Sequence, residues 1–309
     1  MAPLPGLHAP AEPVPPLPQN IHIAVITHAT DHFDDGGYLL HRLIEHWSPR
    51  GVEVTAMKGP AGTPPEADLA ICHVDMTAVD DQHARLFERY PLVINGRVLD
   101  ISKSAFSDQL ITLDDAYQGP VIVKTDRNFG GMREMHARFQ QGDMNARIDV
   151  QRPWRKVEYL PAYPVFAAPT AVPLGVWRNP NLVVEKFRPE QQENGTYVLR
   201  VWIFFGDRGI YYQCISEEPI IKSHNTIRRE NLDLADVPDA LREKREKLGF
   251  DFGKFDFGIV DGEVVLYDVN RTPGSSRGGG ETSAAKQNIL NLSEGLDYFL
   301  NKLGKKLDS

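Results

Sequence analysis

The stretch 254–276, KFDFGIVDGEVVLYDVNRTPGSS, constrains this chain more than any other, because it reads as two alternating strands around Asp261-Gly262 that run into a Pro-Gly turn. It carries Asp256, Asp268 and Asn270. Two carboxylates and an amide are hard oxygen donors, the type Mg²⁺ takes when nucleotide phosphates complete its shell. Register decides whether they can meet. A two-residue turn at Asp261-Gly262 puts Asp256 on the sheet face of Tyr267, opposite to Asp268 and Asn270. A three-residue loop, Val260-Asp261-Gly262 with Gly262 as a positive-φ bulge, puts all three on one face. The metal reading therefore expects the bulged loop. The competing reading is a plain hairpin with solvated acids outside.

Upstream, VIVKTDRNFGGM at 121–132 is a β-branched strand ending in Lys124, followed by a polar loop with Gly130 and Gly131. A strand ammonium can reach phosphate oxygens while backbone N–H groups of a glycine loop close over them. NLVVEKFRPE at 181–190 is an apolar strand ending in Glu185, Lys186 and Phe187; YVLRVWIFFGD places Arg200 in a strand, and PIIKSHN offers Lys222. None of these is specific alone, since a strand lysine is commonly a surface residue and a Gly-Gly pair commonly a turn.

Their order is specific. Strand lysine, glycine loop, apolar strand with E-K-F, strand arginine, then D…D-x-N-x-x-P-G resembles the ATP-grasp superfamily over roughly residues 100–300. The closest type is the carboxylate-amine ligase, similar to glutathione synthetase and D-alanine–D-alanine ligase. That resemblance implies a mixed α/β and α+β architecture. After a Pro-rich tail at 1–19 it sets a small parallel α/β domain at 20–100, a central subdomain at 101–183 and a C-terminal subdomain with the metal site at 184–309. ATP would lie between two antiparallel sheets. By position, Lys103 and Lys124 resemble the nucleotide-contacting lysines, Gly130 and Gly131 the lid, and 185–187 the strand whose backbone reads adenine. Glu190 or Glu193 stands as the ribose contact. Asp256, Asp268 and Asn270 resemble the ligands of Mg²⁺, with Mn²⁺ as a substitute, and Arg200, Lys222 and Arg271 stand as catalytic cations. Two departures stand out. Asp268 occupies a position commonly held by Glu, and the longer segment from Lys124 to Glu185, with Arg147, Arg152, Trp154, Arg155, Tyr159, Tyr163 and Pro164, is expected to be a family-specific loop.

The implied activity is attack of a small-molecule or peptide carboxylate on ATP to give an acylphosphate, then displacement of phosphate by an amine. A small-molecule kinase and a non-catalytic ATP-binding protein are the alternatives. A net charge of −8 from 34 Lys and Arg against 42 Asp and Glu disfavours a nucleic-acid binder, whose affinity rests on neutralising phosphates. Two cysteines, Cys72 and Cys214, give neither a disulfide framework nor zinc spacing and suit a cytoplasmic protein. No apolar run reaches a membrane-spanning length. The first basic residue is Arg42, so the start lacks the charged region of a secretory signal. A homo-oligomer is compatible with everything in the sequence.

From Ile21 short apolar strands alternate with helical stretches, which argues for a parallel α/β unit. Gly36 and Gly37 precede its first helix, either as an anion-accepting turn for substrate or as a plain strand-to-helix connection. His28, Asp31, His32, Asp34 and Asp35 read as caps and solvated charge, one of them orienting a substrate. Ser275 and Ser276, after the metal triad, are further substrate contacts. Gly278 to Gly280 read as a connector to a helix capped by Thr282 or Ser283, and LREKREKLG at 241–249 as a solvated helix face.

Overall fold

The computed structural model describes residues 21–143, 153–275 and 283–307. The Pro-rich segment 1–19, Arg147, Arg152, Ser276, Gly278 to Gly280 and Thr282 lie outside the described residues. The apolar run Ile23–Ile26 within IHIAVIT needs cover on both faces, and a parallel sheet provides it. IHIAVIT is β1 (Ile21–Thr27); with β2 (Val52–Lys58), β3 (Leu69–His73) and β4 (Val93–Ile94) it forms a parallel sheet in the order β2-β1-β3-β4. Helices α1 (Leu39–Trp47) and α2 (Asp81–Phe87) flank it. Ile23 and Val25 pack with Leu39, Leu40, Leu43 and Trp47 of α1, while Ala24 and Ile26 pack with Leu86 and Phe87 of α2.

The second sheet joins β5 (Leu110–Ile111), β6 (Val121–Thr125), β7 (Val165–Phe166) and β8 (Leu182–Lys186) in the antiparallel order β5-β8-β6-β7. The third is also antiparallel: β9 (Glu190–Gln191), β10 (Tyr197–Phe205), β11 (Arg208–Ser216), β12 (Arg228–Asn231), β13 (Phe252–Val260) and β14 (Glu263–Asn270), ordered β12-β11-β10-β13-β14 with β9 on β10. The remaining helices are α3 (Lys103–Phe106), α4 (Met132–Gln140), α5 (Leu174–Trp177), α6 (Asp239–Leu248), α7 (Ser283–Ser293) and α8 (Leu296–Leu307). One parallel and two antiparallel sheets are the fold class expected from the sequence.

The expected segment boundaries fit less well. A cut at 183/184 falls inside β8, which pairs with β6 from Leu182 through Lys186, and a strand cannot leave its partner halfway without stranding backbone donors. The 20–100 unit does not stand apart either. The α1 side of its sheet shares one core with Phe205, Phe252, Leu292 and Phe299 of the C-terminal elements. That shared core fixes the parallel sheet against the third sheet, and the other face of the third sheet carries a separate core of Trp202, Phe204, Tyr211, Phe255 and Phe257 under Leu241 of α6.

Candidate active site

The site begins with a register shift. Val260 pairs with Glu263, so Asp261 and Gly262 make a two-residue turn, with φ of 54° and 78°, the positive values that Asp-Gly supplies in tight hairpins. The three-residue loop expected from sequence is absent. Its purpose is met elsewhere: the pairing slips between Asp256 and Phe257, leaving Tyr267 as an extra residue, so that Asp256 faces Asp268 and Lys254 faces Asn270. All three expected ligands therefore share a face. Tyr267 is held in the bulge by its hydroxyl, which donates to Arg188 O at 2.8 Å. Its own carbonyl accepts from Lys124 Nζ of the facing sheet at 3.1 Å, so the bulge also ties the two sheets together.

Opposed charges converge there. Lys124 Nζ lies 2.6 Å from Glu185 Oε2, Lys103 Nζ 3.0 Å from Asp268 Oδ1, and Lys254 Nζ 2.9 Å from Asp256 Oδ2. Burial pushes the Asp256 carboxyl up despite Lys254, whereas for Asp268 the same burial is outweighed by Lys103, Lys124 and Lys254, and its pKa falls. Burial alone would lower Lys103 and Lys254, but Asp268 and Asp256 raise them. Lys222 is lowered by desolvation. Asp256 Oδ1 and Glu185 Oε1 are buried with no hydrogen-bond partner among the described residues. A buried carboxylate oxygen without a donor is costly, and a cation is the natural missing partner. The residues therefore fit a magnesium ion held by Asp256 and Asp268, with Asn270 beside them. Asn270 Oδ1 already accepts from the Thr272 N–H at 2.8 Å and, more weakly, from the Thr272 hydroxyl at 3.4 Å. Among the described residues no cluster of three His, Cys, Asp or Glu exists, so phosphate oxygens would have to complete the shell.

Two cavities meet at this cluster. A slot of about 120 Å³ between the two antiparallel sheets is lined by Lys103, Ile122, Lys124, Glu185, Phe187 and Leu266. A cleft of about 1020 Å³ opens beside it, bounded by Gly37, Tyr38, Asp75, Arg133, Tyr212 and Arg229. Tyr163, Leu199, Lys222, Asp256 and Asp268 line both. Lys222 Nζ rests 4.9 Å from the Tyr163 ring centroid, so the long segment before β8 builds part of the wall.

Several candidates from the sequence stand elsewhere. Arg271 is fully buried and donates to the carbonyls of Val74, Met76 and Val98, a backbone clasp that leaves no reach into the cleft. Arg200 points to the other sheet face, bound to Glu190 through Nη2 at 2.7 Å and to the Tyr211 hydroxyl at 3.1 Å. Alternation along β10 turns Leu199 and Val201 to the cleft and Arg200 away from it. Glu190 is taken by that pair and by the Ile259 N–H, and Glu193 is exposed in the β9–β10 turn, lining neither cavity. Gly130 and Gly131, with φ of 68° and 84°, are buried under the 158–160 backbone. A Cβ on Gly130 would sit 2.8 Å from Leu160 O and one on Gly131 would run into Glu158 O, so close packing, rather than an open cradle, requires glycine there. The tip of that loop is the exposed Phe129, which lines the cleft.

Lys186 and Phe187 line the slot, but their N–H groups already donate to Gln109 O and Pro120 O at 2.8 and 2.9 Å. Gly36 ends a short 3-10 turn, and Gly37 O accepts from the Ser275 N–H at 2.8 Å, bringing the end of β14 against the start of α1. The first N–H of α1 is likewise taken, by Pro273 O. Gly37 lines the cleft; Ser275 and Gly36 do not.

Sequence reading misses three groups. Lys254 is one, although its position two residues before Asp256 on the same strand face could have found it. Asp75 is another: it accepts from the Tyr38 and Thr272 hydroxyls at 2.8 and 2.7 Å and pairs with Arg133 at 2.7 Å. Asp31, also bound to Tyr38, is pushed up to about 6 by burial and by Asp75. Arg229 on Tyr212 is the third. No local pattern announces these last two, because their members come from separate elements.

No family model matches the chain, and no curated protein does. Among solved structures it is similar to a D-alanine–D-alanine ligase from Bacillus anthracis, at 12% identity over 94% of this chain and 100% of that one, with a TM-score of 0.46. A RimK domain ATP-grasp protein from Sphaerobacter thermophilus aligns at 16% identity over 90% and 99%, TM-score 0.46. A D-alanyl-alanine synthetase A from Vibrio cholerae aligns at 10% identity over 93% and 99%, TM-score 0.49. Likenesses this loose assign no residue a role.

Proposed function

We propose that the protein is an ATP- and magnesium-dependent ligase that activates a carboxylate as an acylphosphate and joins it to an amine, releasing ADP and phosphate. One observation carries the reading: Asp256 and Asp268 face each other where slot and cleft meet, one of them with an unpartnered oxygen, with Lys103, Lys124, Lys222 and Lys254 around them. Carboxylates and ammonium groups in such proximity suit a polyphosphate and its cation together. The order of sequence motifs supports the same reading independently.

In this scheme the slot takes the flat base between the sheets and the phosphates run over the carboxylate pair toward the cleft. Bound magnesium would offset charge on the transferring phosphoryl group. Lys103, Lys124 and Lys222 bind and orient the phosphates, and Lys254 stands on the cleft face to meet the reacting carboxylate. The carboxylate oxygen attacks the terminal phosphorus, ADP leaves, and the amine then displaces phosphate with loss of a proton. Phe129 and Tyr163 at the cleft wall keep water from the acylphosphate.

The test uses ATP, a panel of amino acids and organic acids, and hydroxylamine. A hydroxamate is the expected product, because an acylphosphate is electrophilic enough for a small nucleophile to intercept it. A stable phosphate ester without hydroxamate would replace the ligase by a small-molecule kinase. ATP binding with no turnover on any acid would leave a nucleotide-binding protein.

A further inference from the structure

The cleft face of the third sheet has an unused cation at its far edge. On β12, Arg228 and Glu230 point to one side, where Arg228 Nε lies 2.8 Å from Glu230 Oε1 and Gln213 donates to Glu230 at 2.7 Å. Arg229 points to the other, directly opposite Cys214. Its guanidinium carbon lies over the Tyr212 ring, 3.5 Å from the centroid, and no carboxylate pairs with it among the described residues. Charged residues on an edge strand often serve only to prevent strand pairing, and Arg228 and Glu230 already do so on the opposite face. Arg229 instead lines the cleft.

The register sets what lies between Arg229 and the reacting end. Tyr212, Val201 and Asp256 form one row across β11, β10 and β13, and Arg229, Cys214 and Leu199 form the next. Tyr212 is two strand spacings from Asp256, roughly 10 Å. The floor between is apolar. With a hydrogen bond allowed at each end, that span leaves about 4 Å between the two contacts, little more than one extended residue.

We propose that Arg229, pre-oriented over Tyr212, anchors the terminal carboxylate of a peptide-like substrate that lies over Val201 and Leu199 with its reacting end at the Asp256–Asp268 pair. A guanidinium held over an aromatic ring, with no carboxylate on it, keeps N–H donors free for a bidentate carboxylate. This rests on the ligase reading for the chemistry at the Asp256 end, but not for what Arg229 holds.

Ligand-observed NMR on the full chain tests it, using a mixture of dipeptides with apolar, polar, acidic and basic side chains, once as free acids and once as C-terminal amides. The free acids should bind wild type at least about ten-fold more tightly than the amides, the scale of one lost charge-assisted contact. Arg229→Gln should erase that preference while ATP affinity and melting temperature stay as in wild type, and Tyr212→Leu should reduce it. Equal binding of acids and amides, no binding of either, or an unchanged preference in Arg229→Gln overturns the anchor. An Arg229-dependent preference without ADP release keeps the anchor and removes the ligase reading, so the two fail separately.

Discussion

The two faces of the C-terminal sheet carry similar residue types and put them to opposite use. On the packed face, Arg200 donates to both Glu190 carboxylate oxygens and to the Tyr211 hydroxyl beside Trp202, Phe255 and Phe257, so neither charge of the pair is left open. On the cleft face, Asp256 keeps an oxygen without a donor and Arg229 a guanidinium without a carboxylate among the described residues. The contrast teaches that a strand arginine or aspartate says little by itself. A charge whose hydrogen-bonding capacity is filled holds the fold, and one left partly open is poised for a ligand.

The strongest way to break this comparison is to mix the faces. Phe255→Asp puts a carboxylate on the packed aromatic side, where Phe255 is fully buried against Trp202, Phe204 and Phe250. The expected loss exceeds about 4 kcal/mol, the scale of an unpaired charge forced into a core, and denaturant unfolding measures it. A variant as stable as wild type would mean that this face is not closed to charge.

Asp256→Asn keeps shape and removes the charge. We expect turnover to fall by roughly 10²–10³-fold, as for loss of one well-placed electrostatic group, with a melting temperature equal to or above that of wild type. Arg200→Met should do the reverse, costing about 2–3 kcal/mol by leaving Glu190 without its cation while turnover below the melting transition changes little. Should Arg200→Met lose activity and keep stability, the assignment of faces is inverted.

The smallest effect concerns Asp31, the partner of Tyr38 behind the cleft wall, whose carboxyl is raised from 3.8 to about 6 by burial first and by Asp75 second. A carboxyl raised in the folded state binds its proton more readily than in the unfolded chain, so its contribution to stability falls as pH rises from about 4 to 6. Asp31→Asn removes that penalty. It should stabilise the protein by at most about 2 kcal/mol at pH 8, after allowance for solvent screening, and by nothing near pH 4. Melting curves at the two pH values decide it; a gain independent of pH rules out ionisation as the cause.

Much of this was legible before any tertiary contact. Apolar runs and their alternation mark the parallel sheet, the Asp261-Gly262 turn marks the hairpin, and residue type and strand position single out Lys124, Asp256 and Asp268 as candidates for phosphate and metal chemistry, with Lys103 added by the family resemblance. Each of these signals is local, because side-chain period and turn preference act over a few residues. Alternation along β10 puts Leu199 and Val201 on one side and Arg200 on the other, but does not say which side is the cleft: Arg200 reads as a catalytic cation until the fold turns it to the packed face. Only the tertiary structure decided the rest. The bulge at Tyr267 depends on Arg188 and Lys124, which reach it from β8 and its following turn and from β6 of the facing sheet. Arg271 is drawn into the fold by three carbonyls from the parallel sheet and its connections, and Arg229 is left open because, among the described residues, no carboxylate pairs with it over Tyr212. Whether a charge is spent on the fold or kept for a ligand is set by neighbours that are distant in sequence, and no local pattern encodes them.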